Sequence, residues 1–246
     1  MTREFTPRTK IRMTDITIPA RFRGPPHSGN GGYVAGLLAK AAGGGRAVAM
    51  RAPAPLDVAL RLDSERLWQG ETLIAEALVA DSSALPGWPV PPTLDAARAA
   101  SVDYRSFHPI CVCCADQLAP EQGLRVCAGP LAGASAGTVA AVWEVDTAFC
   151  DEDGSVPEEI VWAAIDCPGF YAWVAVDGRH GALTGTMQAE VVERPRAGDE
   201  CIVLAWPLER VSERRFTSAV ALFGADGRPM ARGVQTWIRM VRRVAA

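Results

Sequence analysis

The sequence predicts an α+β fold in which one unit, a single helix followed by antiparallel strands, occurs twice. Two observations lead there. The same order of elements runs through both halves of the 246 residues, and the segments after each helix alternate apolar and polar side chains with the period of a strand.

In the first half, GPPHSGNGGY (24–33) opens onto the apolar run VAGLLAKAA. The spacing predicts a helix from about residue 33 to 42, stopped at Gly43, Gly44 and Gly45, since glycine readily takes the left-handed backbone that ends helices. Alternation in LDVALRL (56–62) and TLIAEALVA (72–80) predicts two strands. The second half repeats the order. TVAAVWEV (138–145) reads as a strand, and a helix is expected over about 156–175. Its start carries Ser155 with Glu158 three positions on, the spacing of a capping box, and Pro157 in the first turn, where a missing N–H costs nothing. GTMQAEVV, ECIVLAWPLE, RRFTSAVALFG and PMARGVQTWIRMV follow as strands. Finer echoes support the repeat. PAPLD (53–57) and PRAGD (195–199) keep the same proline-to-aspartate spacing at the head of a strand, and Gly70 and Gly227 each precede the last strand of a half.

Between the halves, proline, glycine and small polar residues cluster as they do in connectors, with one short helix candidate, TLDAARAA. These features divide the chain into a first half (1–95), a connector (96–135) and a second half (136–246).

Composition narrows the function classes. About half the residues are apolar and the formal charge is −3, so no basic nucleic-acid surface is expected. No stretch approaches eighteen apolar residues in a row and MTREFTPRTK lacks an apolar core, so neither a membrane span nor a signal peptide is expected and the compartment reads as cytoplasmic. Seven cysteines without an export signal read as reduced thiols. Cys111 and Cys114, with Cys113, Cys127 and His108 nearby, give a fragment of zinc-ligand spacing, but no second pair completes it, so no metal is expected. Cys167 has no histidine base in its neighbouring sequence and reads as a small buried apolar residue.

GPPHSGNGGYVAGLLA resembles the glycine-rich helix entry of hotdog thioesterases, commonly His-Gly-Gly, with Asn30 standing where that motif has histidine. VWAAIDCPGF is similar to the second central helix of single-chain bacterial members, and HPICVCCADQLAPEQGLRV resembles their Cys-x-x-Cys followed by Gly-Leu-Arg. The resemblance to double hotdog acyl-CoA thioesterases implies two central helices, each wrapped by an antiparallel sheet, with the halves related by a pseudo-twofold. It also implies an acyl-CoA substrate, no cofactor and a possible homodimer. A hotdog hydratase or dehydratase, or a non-catalytic acyl-binding protein, is the alternative function.

The helix entry suits thioester chemistry. Unpaired N–H groups at a helix N-terminus can hold a carbonyl oxygen as it gains charge, and glycine lets the acyl group come close. Gly31 and Gly32 are the candidate oxyanion hole, Gly32 N–H foremost, with Asn30 orienting the water or the thioester; equally, the stretch reads as a loop with Asn30 as an ordinary N-cap. Asp166 interrupts an apolar helix and is the candidate general base; equally, it could pair across the core. In hotdog thioesterases that use an aspartate, the acid lies about two and a half turns past the glycine entry. Nine residues after Asn30 stands Ala39, and nine before Asp166 stands Pro157, so each half keeps what the other lacks and one working site is expected. Its carboxylate should face the Asn30-Gly31-Gly32 turn across roughly 4 to 8 Å. His27, Tyr33 and Trp162 are candidate substrate contacts, each also readable as loop or core. His108 and His180 are weaker candidates, and arginines of SERR or the C-terminal RRVAA could meet phosphates.

Overall fold

In the computed structural model, which describes residues 14–178 and 181–240, the strands join into one sheet. The first half supplies β1 (Thr14–Thr17), α1 (Gly31–Ala41), β2 (Arg46–Met50), β3 (Ala59–Leu62), β4 (Arg66–Gln69) and β5 (Thr72–Val79). The short helix α2 (Leu94–Ala100) and β6 (Gly129–Pro130) come between. The second half contains β7 (Val139–Glu144), α3 (Glu158–Ala164), α4 (Asp166–Asp177), β8 (Ala182–Val191), β9 (Glu200–Arg210), β10 (Arg215–Gly224) and β11 (Pro229–Arg239).

The sheet order is β1-β3-β4-β5-β2-β8-β11-β10-β9-β7-β6, antiparallel at every pairing. Numbered from its own first strand, each half has the order 1-3-4-5-2, and the two second strands meet in the middle, with Val48 opposite Met187. The strand order is thus the same in the two halves. The PAPLD and PRAGD segments both lead into the third strand of a half, and Gly70 and Gly227, at φ 55° and 83°, turn the equivalent hairpins. Strands β1, β2 and β4 carry too little alternation over four or five residues to be read from sequence, and they are additions to the expected set.

α1 packs along α3 at backbone contact. A Cβ on Gly36 would stand 2.7 Å from the Cα of Glu159, and one on Gly32 would stand 2.4 Å from the carbonyl oxygen of Trp162. The glycines thus serve the helix pair as well as the helix entry. From this contact Val34 and Leu38 reach a core shared by both halves, with Val48, Leu60 and Ile74 beneath the first helix and Val161, Val203 and Val220 in the second half. Truncating a buried leucine such as Leu38 to alanine costs about 2–5 kcal/mol.

The second central helix differs from expectation in two ways. The capping box does not form, because Ser155 turns its hydroxyl and N–H to Asp153 Oδ1, and Pro157 caps α3 without a side-chain hydrogen bond. The helix also breaks at Ile165 rather than running straight through. Pro168 has no N–H to offer the Ala164 carbonyl, which instead accepts from the Cys113 thiol at 3.6 Å. Gln235 on β11 donates to the carbonyls of both Ile165 and Asp166 at 2.9 Å. Gly169 makes room for it, since a Cβ there would lie 1.8 Å from Gln235 Oε1. The segment Glu158–Asp177 is long and apolar enough to cross a membrane, yet most of it is buried inside the fold, as a core helix must be.

Candidate active site

The first turn of α1 allocates its N–H groups individually. Asn30 is the N-cap: its side-chain oxygen accepts from Tyr33 N–H at 2.9 Å, and its carbonyl accepts from Val34 N–H. Gly32 N–H donates to Asp166 Oδ2 at 3.0 Å, and the Asn30 amide donates to the same oxygen at 3.1 Å. Gly31 N–H has no hydrogen-bond partner among the described residues, and Gly31 lines a cavity. The ordinary N-cap reading of Asn30 and its pairing with Asp166 are thus both present, through opposite ends of one amide.

Asp166 sits at the start of α4, where the break in the second helix turns its side chain to the entry of the first. It is 2 % exposed. Burial pushes its carboxyl up to about 7, against the opposing pull of the Gly32 N–H, the Thr184 hydroxyl and the Asn30 amide. The Thr184 hydroxyl donates to Oδ1 at 2.9 Å. Contact with the helix entry is direct, so the expected gap of several ångströms is corrected: Gly32 N–H is already engaged by Asp166, and no water or thioester fits between them. Of the four lone-pair positions of the carboxylate, three are occupied and the one left is on Oδ1.

The cavity holds about 300 Å3 and is bounded by both halves: Asn30, Gly31, Met50 and Pro53 from the first, Asp166, Phe170, Thr184 and Trp237 from the second. Its walls are mainly apolar with a few polar groups converging at one end, the usual character of a small-molecule site. Gly31 is held against Thr184; a Cβ on Gly31 would lie 2.5 Å from Thr184 Oγ1. At the rim, Arg51 is half-exposed and ion-paired with Glu76 at 2.6 Å.

His27, Tyr33 and Trp162 do not line this cavity. His27 is exposed on the loop before α1. Tyr33 points the other way and stacks on Phe22 with ring centroids 4.0 Å apart, while Trp162 is buried where α3 meets Gly32 and Gly36. His108 does line the cavity, near the Phe170 ring; His180 lies outside the described residues, as do the arginines of the C-terminal RRVAA. Thr184 and Gln235 join the site without any signal in the sequence, because a strand hydroxyl or amide shows neither spacing nor charge.

All seven cysteines are free. Four of them, Cys111, Cys113, Cys114 and Cys167, gather beside Asp166, with Cys111 Sγ 3.7 Å from Cys167 Sγ. Hydrogen bonding within the cluster, with Cys114 first and then Cys167, sets the Cys111 thiol well below its usual range and pushes the Cys114 and Cys167 thiols well above theirs.

No family model matches the chain, and no curated protein matches it. Solved hotdog-fold thioesterases are similar to part of it. A hypothetical thioesterase from Streptococcus pneumoniae TIGR4, with coenzyme A, is 11% identical at a TM-score of 0.40, covering 44% of this chain and 82% of that one. The E. coli PaaI protein from the phenylacetic acid degradation operon is 12% identical at 0.39, covering 43% and 74%. The Streptococcus mutans protein smu.793, bound to acetyl CoA, is 13% identical at 0.40, covering 44% and 84%.

Proposed function

We propose that this chain hydrolyses acyl-CoA thioesters, with Asp166 as the general base and the N-terminus of α1 as the oxyanion hole. The observation that supports this reading is the meeting, at the polar end of an apolar cavity, of a buried carboxylate from one half with an unpartnered N–H at the helix entry of the other.

In this reading the thioester carbonyl oxygen lies against Gly31 N–H, where the positive end of α1 favours the charge that develops on it. A water on the cavity side of Asp166 gives its proton to the free lone pair of Oδ1 and attacks the carbonyl carbon. The tetrahedral intermediate collapses with release of the coenzyme A thiolate, which takes the proton held by Asp166 and so restores the base, and the acid and thiol products leave. Gly32 N–H, Asn30 and Thr184 hold the carboxylate in one orientation and favour its ionised form. A carboxyl poised near neutrality is well matched to a proton transfer at physiological pH.

The chain carries one such site in this reading. At the position equivalent to Asn30, Pro157 caps α3 and provides no side-chain acceptor, and Ala39 stands where the acid would be. The 1-3-4-5-2 order of each half about the central β2–β8 pair supports a pseudo-twofold between them, with 1–95, 96–135 and 136–246 as first half, connector and second half. The reading is tested by incubating the protein with short, medium, long and aromatic acyl-CoAs and following thiol release. Turnover of at least one class is expected; binding without thiol release across the panel would favour a non-catalytic acyl-binding protein.

A further inference from the structure

Three of the cysteines near Asp166 form a cluster for which hydrolysis has no use. Cys111 and Cys114 come from one tight turn of the connector, closed by Ala115 N–H donating to the Cys111 carbonyl at 3.0 Å. Cys167 comes from the first turn of α4, 53 residues beyond Cys114 (167 − 114). The three sulfurs all lie within 4.8 Å of one another, and all three residues are buried. Two sulfurs bound at about 2.3 Å to a tetrahedral ion stand about 3.8 Å apart, and the Cys111–Cys167 separation is 3.7 Å. One edge of the cluster already has the spacing of a coordination shell, and the third sulfur is within 4.8 Å of both.

A hydrogen-bond donor also faces the cluster. The Asn30 amide nitrogen lies 4.0 Å from Cys111 Sγ and 3.9 Å from Cys167 Sγ, so the group that donates to Asp166 also faces two of the sulfurs. The amide cannot turn its oxygen to them, because that oxygen is fixed by Tyr33 N–H. Buried thiols serving only as small apolar residues need neither convergence of their sulfurs nor an amide N–H group facing two of them. The absence of a second Cys-x-x-Cys argued against a metal at the level of sequence; the fold supplies the missing ligand from a distant helix.

We propose that Cys111, Cys114 and Cys167 form a three-thiolate site for a divalent ion of the zinc class, with its fourth coordination position toward the cavity. Thiolates select soft or borderline ions, and zinc accepts three protein ligands plus a water or a fourth donor. Cys111 and Cys167 line the cavity, so the fourth position is reached from there. Binding displaces the protons still held by the three thiols, giving a zinc tris-thiolate and free protons, with no change in oxidation state. The site does not depend on the thioesterase reading and would stand if that reading failed.

The test uses the full chain, purified under reducing, anaerobic conditions, stripped with a chelator, and titrated with cobalt(II) as a spectroscopic probe and then with zinc. The expected result is about one ion per chain, with intense sulfur-to-cobalt charge-transfer absorption in the near ultraviolet that zinc abolishes. Cys114→Ser should weaken zinc binding at least about tenfold, whereas Cys201→Ser, buried away from the cluster, should leave it unchanged. Should Cys114→Ser fail to fold, the cobalt spectrum of the unaltered chain decides alone. Only trace metal after loading, with no charge-transfer absorption, would overturn the proposal. So would a Cys111–Cys167 disulfide that forms in air while zinc in excess gives no protection.

Discussion

Asp166 Oδ2 accepts a hydrogen bond from Gly32 N–H at 3.0 Å, joining residues 134 apart in sequence and fixing the second half's acid on the first half's helix entry. The contact leaves Gly31 as the neighbour with a free N–H. It separates the two glycines into different roles and makes them separable by experiment.

Gly31→Ala and Gly32→Ala should therefore fail differently. A Cβ on Gly32 meets the backbone of Trp162 at 2.4 Å, which cannot give way without parting α1 from α3. We expect a loss of about 3 kcal/mol, the upper part of the overpacking range, seen as a lower thermal midpoint. A Cβ on Gly31 meets only the Thr184 side chain and the edge of Asp166. There the fold should be better kept while kcat drops, because the added methyl pushes the Thr184 hydroxyl off Asp166. Equal loss of stability in both variants would contradict this division.

Thr184→Val removes the hydroxyl that donates to Asp166 Oδ1 and keeps the side-chain shape. That hydrogen bond favours the ionised carboxylate, so its loss should raise the pKa further. For the unaltered, metal-free protein, kcat should rise as pH passes through about 7, since the base must be deprotonated. The valine variant should move that midpoint to higher pH, and a midpoint that stays put or falls would remove Thr184 from this role.

Gln235→Leu should destabilise the protein by about 1–3 kcal/mol, the cost of leaving buried polar groups unpaired. Its amide satisfies the carbonyls of Ile165 and Asp166 at the break in the second helix. Denaturant unfolding measures the loss. Because those carbonyls set where Asp166 points, kcat should fall beyond what any unfolded fraction explains, and an unchanged specific activity of the folded protein would show that the break is held by other contacts.

The legible parts of this protein were those with strong local signals. Asn30 with its glycines announced a helix entry, Asp166 stood out as an acid inside an apolar segment, and the repeat was written in element order and in Gly70 and Gly227. The direct contact of Asp166 with Gly32 was not legible, because it depends on the bend at Ile165, and that bend depends on Pro168 acting together with Gln235 from a strand far along the chain. Thr184 reads as one more hydroxyl on a strand. His27, Tyr33 and Trp162 look suitable beside a helix entry, yet His27 is left exposed on the loop and the facing of the other two is decided by packing, Tyr33 on Phe22 and Trp162 between α3 and the glycines of α1, which sequence periodicity does not encode.

The central claim is that Asp166 takes the proton of the attacking water, and the turnover of Asp166→Asn on an acyl-CoA accepted by the unaltered protein tests it most directly. Asparagine keeps the size of the side chain and an oxygen for Gly32 N–H but cannot act as the base. The account predicts a fall in kcat of about 10²–10⁴-fold, with KM and thermal midpoint near those of the unaltered protein. Turnover within about twofold of the original, in a variant whose fold is intact, would contradict it.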